Sequence, residues 1–424
     1  MNAASNAACQ EPRTKAAGAS KRKWWFSIHS WAGLKLSLLM AFICLTGTLA
    51  VIATELDWLV QPAMRVEPAA HRASWGEMAA AAQAAHPDWT LQSVTAPHAS
   101  RFAAQALMRT PQGELRFVWI DPYRATVTGD TSWFSIQRWL RNTHRHLFLP
   151  TNYGVPLVSA LSIPLTLLIA TGFVVYKRWW RGFLAWPRWG KRRLTWGDTH
   201  RLLAVWSLWF AILIALSGLW YLIESLGGHA PALPAITAKR APPAAAPISA
   251  EKLDAAITRV RQLWPDLEIR VLRLDAGGQG GQVEGQTDAW LVRDRANAIR
   301  LPMQDGDFAR RRSAADLTVH QRLSELADPI HFGSFGPWPV RAIWFGFGAA
   351  LTALCLTGVY LYGLRIAGSS AVVRKRAGHT GTAATPLRES WAGMRPWRWL
   401  WLGLLLMSQA LFVGEAMGWL HLFQ

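Results

Sequence analysis

The sequence is poor in cysteine, with three in 424 residues: Cys9, Cys44 and Cys355. Three cannot build a disulfide framework, and alone they cannot supply an iron–sulfur cluster or a cysteine-rich zinc site. Charge is sparse as well. Asp, Glu, Lys and Arg together make 17% of the chain, against 51% hydrophobic residues. The shortage is concentrated in long uncharged runs, which excludes a single soluble globule. Of the two signs, acid is the scarcer, with 26 Asp and Glu against 45 Lys and Arg. No Rossmann fingerprint, flavin motif or nucleotide-binding loop is present. What the chain has in abundance is tryptophan. Its 26 indoles suit a membrane protein, because such rings favour the headgroup layer.

A spanning helix needs about 20 mostly apolar residues. The uncharged stretches predict five, at 24–54, 144–176, 200–224, 338–364 and 397–424, the last with the shortest uncharged core and Glu415 late in it. Lys and Arg crowd into 1–23, 177–199 and 365–396, which hold most of the formal charge of +19. The long loops 55–143 and 225–337 are close to neutral. The positive-inside rule then puts the N-terminus and the short basic loops in the cytoplasm and the long loops in the periplasm. The expected location is a bacterial inner membrane, crossed several times. No small-residue cleavage site follows the first apolar run, which therefore reads as an uncleaved anchor. The basic balance is a consequence of topology, with the lipid bilayer as partner and no nucleic acid.

The chain also repeats itself. Aligning HSWAGLKLSLLMAFICLTG with HRLLAVWSLWFAILIALSG sets His29 on His200 and Gly47 on Gly218, each glycine 18 residues after its histidine. In the returning spans Gly172 follows His144 by 28 residues and Gly358 follows His331 by 27. Each half is a helix, an outer loop and a helix back. The loops repeat too. The first predicts a helix at Ser74–His86, strands at Thr90–Thr95, Phe102–Arg109 and Leu115–Asp121, and a turn in DPYRATVTG. The second predicts a helix at Ser249–Trp264 and strands at Glu268–Leu274, Gln282–Gln286 and Ala289–Arg293. The fold class is thus a mainly α membrane protein: four pseudo-repeated spans in a bundle, a fifth C-terminal helix, and two small α+β periplasmic modules. GGQGG at 277–281 sits between strands and predicts a hairpin turn, Pro231–Pro247 predicts an extended linker, and Arg310, Arg311 and Arg312 predict a solvated turn.

Twelve histidines are present. His71, His86, His98, His229 and His379 fall in polar loops as solvated residues, His421 near an interface, and His320 in an amphipathic helix that runs on to His331. Four others form a pattern. His29 and His200 occupy the cytoplasmic ends of the first and third spans, and His144 and His331 the outer ends of the second and fourth. Ionisable groups at membrane depth are costly and mark functional sites. Two imidazole pairs at matched depth, without a nearby carboxylate or thiolate, suit a low-spin haem iron better than zinc. Haem b requires no CxxCH motif, and none is present. Each span carries a hydroxyl–glycine step, Thr46–Gly47, Thr171–Gly172, Ser217–Gly218 or Thr357–Gly358, at the end opposite its histidine. Small residues there give room for a flat macrocycle, or serve helix packing. Lys35 and Arg201 are placed to neutralise propionates or to snorkel, and Trp206 and Trp209 to pack on a macrocycle.

HSWAGLK, ELDWLVQP, HRHLFLP, DTHRLLAVW and DPIHFGSFG resemble the PepSY-associated transmembrane family, over residues 22–365. The loop modules resemble PepSY domains. Family members include inner-membrane reductases that free iron from imported siderophores through b-type haems ligated by membrane histidines. The resemblance implies His29, His200, His144 and His331 as axial ligands of two b haems, with His146 the alternative to His144. The fifth helix is an addition to the simplest members.

The reading is therefore an oxidoreductase, a membrane cytochrome b without catalytic side chains of its own. Electrons come from a quinol or a cytoplasmic reductant and leave to a ferric siderophore or another ferric chelate. Ferrous iron binds hard oxygen donors less well, so reduction releases it. The alternatives are a haem-free scaffold or regulator of a periplasmic partner, and a siderophore transporter, since repeats are a transporter feature. Against the latter, the sequence predicts no broken span.

Overall fold

The computed structural model describes residues 12–236, 249–275, 280–301, 310–376 and 385–417. The chain begins with α1 (Pro12–Lys35), α2 (Ser37–Val51), α3 (Ala53–Val60) and α4 (Trp75–Ala85). Strands β1 (Thr90–Thr95), β2 (Ala104–Arg109), β3 (Leu115–Ile120) and β4 (Val127–Ser132) follow. Then come α5 (Ile136–His146), α6 (Thr151–Ser159), α7 (Ser162–Val175), α8 (Arg192–Trp206), α9 (Leu208–Ile223) and α10 (Ala250–Leu263). The second half adds β5 (Glu268–Leu274), β6 (Gly281–Gln286), β7 (Asn297–Arg300) and β8 (Arg311–Arg312). It closes with α11 (Val319–Phe332), α12 (Trp338–Arg376), α13 (Pro386–Met394) and α14 (Trp397–Ala416).

Among the described residues, Thr151–Val175, Leu208–Gly228, Trp338–Ser370 and Trp397–Ala416 are long and apolar enough to cross a membrane. Lys21–Lys35 and Ser37–Val51 form a further span bent by 65°. This is a multi-pass membrane protein. The sequence predicts continuous helices through Leu36 and Ser207, and both helices break there. The two breaks lie seven residues after the repeat-related His29 and His200. At the first, Ser37 Oγ donates to the Leu34 carbonyl (2.7 Å) and the Trp401 indole of α14 donates to the Lys35 carbonyl (2.6 Å). At the second, Ser207 Oγ donates to the Leu203 carbonyl (2.6 Å). Groups that join the backbone hydrogen-bond ladder from the side bend helices, and hydropathy does not register them.

The second predicted span also divides. His144 belongs to α5, which ends at His146, and the apolar span proper starts at Thr151. Leu147 and Phe148, both fully buried, take left-handed backbone angles (φ 55° and 54°). Pro150 then caps α6. Proline disfavours a helical conformation in the residue before it, so α5 cannot run through. The repeat has the same design: His331 lies in the last turn of α11, which Gly333 stops at φ 66°.

The chain forms two compact units, one of Met1–Thr48, His144–Leu222 and Gly346–Ala410, the other of Leu49–Thr143, Ile223–Phe345 and Leu411–Gln424. The second unit corrects the expectation of two separate modules. Its strands make one eight-stranded antiparallel sheet in the order β4-β3-β2-β1-β5-β6-β7-β8. The seam is β1 against β5, with Ser93 opposite Arg273, Val94 opposite Leu272 and Thr95 opposite Val271. Each half alone would leave β1 or β5 as an exposed edge, and pairing these two edges satisfies their amides. Helices α4 and α10 supply Met78, Ala82, Leu253, Ile257 and Val260 to the core that also holds Val94 and Leu272. They start at Ser74 and Ser249, whose hydroxyls accept from the amides of Glu77 and Lys252. Asp254 of α10 accepts from Ser74 Oγ and from the Gly76 amide. A Cβ on Gly76 would lie 2.3 Å from the Ala250 carbonyl oxygen, so only glycine lets the helices meet this closely.

Local differences have local causes. Ala289–Arg293 is not a strand; Leu291 has φ 59°, and Arg293 turns to Glu325 and Asp328. The next strand is instead β7. Strand β4 starts inside the predicted DPYRATVTG turn, and Arg311–Arg312 is a strand paired with β7 and not a solvated turn. In GGQGG, residues 277–279 lie outside the described residues; Leu274 pairs with Gly281 as a hairpin there requires. Of the linker, residues 237–248 lie outside them too.

Candidate functional site

His29 projects from α1 and its Nδ1 meets Thr171 Oγ1 of α7 at 2.9 Å. The Thr171 hydroxyl donates to the carbonyls of Leu167 (2.7 Å) and Leu168 (3.1 Å) in its own helix. Its proton being committed, Thr171 accepts, and the proton of His29 sits on Nδ1 with the lone pair on Nε2. The repeat-related pair is the same. His200 of α8 has its Nδ1 at 2.8 Å from Thr357 Oγ1 of α12, and the Thr357 hydroxyl donates to the Leu354 carbonyl (3.2 Å). Thr171 is fully buried and Thr357 nearly so. His200 lies within electrostatic reach of His29.

His144 presents Nδ1 to the Ile43 carbonyl of α2 at 2.9 Å. A carbonyl only accepts, so Nδ1 carries the proton here as well. The ring rests against Gly47, where a Cβ would come within 2.5 Å of its Cε1. His146, the alternative, is buried beneath Gly154, whose Cβ would lie 2.7 Å from that of His146 and 2.3 Å from its carbonyl oxygen. The α5 helix is aimed by Asp57 of the ELDW motif, buried, which accepts from the amides of Ile136 (2.8 Å) and Gln137 (3.0 Å). A carboxylate at a helix N-terminus satisfies orphan amides and meets the helix dipole. His331, in the second unit, is held by a different device. Trp344 donates to the Ile330 carbonyl (2.8 Å), and its ring lies where a Cβ on Gly333 would come within 2.7 Å.

The hydroxyl–glycine steps have several roles. Gly47 admits His144, and Gly358 lies 3.5 Å from His200 Cε1, measured from an added Cβ. Gly218 packs on Ser162 instead, and Gly172 faces open space. All four neighbouring hydroxyls donate to their own helix carbonyls, leaving oxygens that accept. Thr171 and Thr357 are the residues that sequence reasoning passed over; the signal was there, a hydroxyl before each glycine. The expected charge partners resolve differently. Arg201 pairs with Asp198, which also takes Arg188 (2.8 Å), and Lys35 Nζ donates to the Gly393 carbonyl. Trp206 and Trp209 are about half exposed; the first donates to the Phe183 carbonyl and the second stands edge-on to Phe347 (4.8 Å). His379 and His421 lie outside the described residues.

Among the described residues, no group of three or more His, Cys, Asp or Glu is arranged to hold a metal ion. Two neutral imidazoles offering Nε2, with no third side-chain donor, fit a metal that brings its own equatorial ligands. A b-type haem is such a group.

None of the curated proteins matches the sequence. A family model described as the PepSY-associated TM region matches residues 26–365, which takes in His29, His144, His200 and His331 and both hydroxyl acceptors. The motifs it spans are the ones that aim and seat the imidazoles, and the chain belongs to the PepSY-associated TM family.

Proposed function

We propose that this protein is a membrane oxidoreductase that carries electrons across a bacterial inner membrane to a ferric chelate, such as a ferric siderophore, in the periplasm. In this reading His29 with His200, and His144 with His331, would hold two b-type haems. Such a group supplies reversible one-electron chemistry at iron. The observation that supports the reading is the Nδ1 donation of His29 to Thr171 and of His200 to Thr357. It fixes the tautomer of the neutral rings and directs Nε2 away from the helix that accepts. An imidazole whose other nitrogen is hydrogen-bonded is also a better electron donor to a metal. The acceptor is bound by the outer sheet, and reduction to ferrous iron weakens its hold on hard oxygen donors. A quinol or a cytoplasmic reductant supplies the electrons.

The test is a dithionite-reduced minus oxidised spectrum of the purified chain. It is expected to show b-type bands at about two haems per chain, and about one after His29→Ala or His200→Ala. A colourless protein, in membranes supplied with haem, refutes the proposal.

The break at Leu36 favours one other reading. Broken spans line the substrate sites of transporters. Uptake of a ferric chelate into proteoliposomes without reductant separates the two, because only a transporter accumulates the intact chelate.

A further inference from the structure

The first unit contains a cavity of about 740 Å³ whose wall combines three cations from separate segments: Lys35 of α1, Arg365 of α12 and Arg395 between α13 and α14. Among the described residues, no Asp or Glu lines it. Lys35 and Arg395 are close enough to repel one another. Arg365 is held over the rings of Phe26 (5.1 Å) and Tyr362 (5.2 Å), which fixes its position without neutralising it. Arg395 adopts φ 55° and ψ −135°, a backbone conformation that costs free energy in a residue other than glycine. Like charges gathered on one cavity wall, one of them on a strained backbone, call for an anion between them.

The surroundings specify what kind. The cavity is walled by the C-terminal part of α1, by α12 and by the turn from α13 into α14, and Trp31 and Trp397 also line it. Indoles of that placement belong at the headgroup level of a bilayer. Ser30 adds a hydroxyl donor for phosphate oxygens, and Leu34 and Pro396 add apolar surface for a glycerol backbone. Basic pockets between spanning helices are a recurrent way to hold phospholipid headgroups.

We propose that this cavity is a binding site for the phosphodiester headgroup of an anionic phospholipid, with Lys35, Arg365 and Arg395 as its phosphate-binding cations. The site also gives the C-terminal α13 and α14 a role, since they contribute Arg395, Pro396 and Trp397 to its wall. It does not rest on the assignment of haem ligands.

The experiment is native mass spectrometry of the full-length chain titrated with phosphatidylglycerol, cardiolipin or phosphatidylcholine, repeated with inorganic phosphate as competitor. The wild type is expected to retain the anionic lipids in preference to phosphatidylcholine. Lys35→Gln and Arg395→Gln should each weaken that retention about 5-fold, and the pair about 30-fold. Arg398→Gln removes an equal charge that lies over Trp391 and Trp399. It should leave retention unchanged, as should the melting temperature of all the variants. Equal retention of all three lipids overturns the proposal. So does an unaltered preference in the double variant, displacement of the lipid by millimolar phosphate, or loss of bound haem from the double variant with lipid retention intact.

Discussion

The Nδ1–H of His29 is donated across 2.9 Å to a threonine, Thr171, whose own proton is already given to its helix. His200 and Thr357 repeat the relationship in the second half of the chain. A hydroxyl that faced two ways would let the ring choose its tautomer; these cannot. The protein itself therefore sets the tautomer of both imidazoles.

Removing the acceptor without changing shape should expose that role. Thr171→Val and Thr357→Val are each expected to weaken haem binding at the His29–His200 site by about 10–100-fold, the usual cost of losing an outer-shell partner. Thr171→Ser should restore it. Titration of the haem-free chain followed by absorbance checks this, and wild-type affinity in both valine variants would show that the hydroxyls do not orient the rings.

Gly47 tests the other site. A methyl there would sit 2.5 Å from His144 Cε1 and 2.7 Å from Nδ1, so Gly47→Ala must displace the ring. Bound haem is expected to fall by about one of two, while Gly403→Ala, with nothing within 4 Å, should leave both. Full haem content in Gly47→Ala would separate His144 from ligation.

At the end of the first span, Glu55 pairs with Arg341 and with His98 (3.6 Å), a histidine expected from its sequence context to be solvated. Burial pushes the Glu55 carboxyl up. The hydrogen bond from His98 and the charges of Arg341 and His98 outweigh it, and the net direction is below the ordinary 4.5. A depressed carboxyl stabilises the fold above its unfolded pKa and loses that contribution as pH falls through the folded value. The melting temperature of the wild type should therefore drop more between pH ~6 and ~3 than that of Glu55→Gln. Parallel curves would show that the pair adds nothing.

Cys44 of α2 and Cys355 of α12 are free thiols that lie close enough to influence one another. In a Cys9→Ser chain, mild oxidation is expected to join them within one molecule, because a bridge requires Cα atoms within about 7 Å. Peptide mapping under non-reducing conditions reads the result. Exclusively intermolecular bridges would contradict this packing of α2 against α12.

Much of this was legible early. The helices behind Ser74 and Ser249, and β1 and β5 residue for residue, follow from period and capping, which involve only neighbours in the chain. The apolar core of each span was legible for the same reason, the ends less so. His144 was placed on a span when it sits on the amphipathic helix before it, because an uncharged run does not show where Leu147 and Phe148 reverse the backbone. The two outer modules were read apart because nothing within either announces that its edge strand is taken by the other.

Hydropathy, charge distribution and the internal repeat thus suffice for a multi-pass chain of two matched halves with four histidines on or just before its spans. These are properties of composition and short-range order, and a chain displays them before it folds. Which atom each imidazole addresses is a different matter. His29 finds Thr171 142 residues away, and His200 finds Thr357 at 157. Trp401 reaches back 366 residues to the carbonyl at the first helix break. Contacts of that range exist only after helices have packed, since the side chains and the freed backbone groups they satisfy come together in no other state.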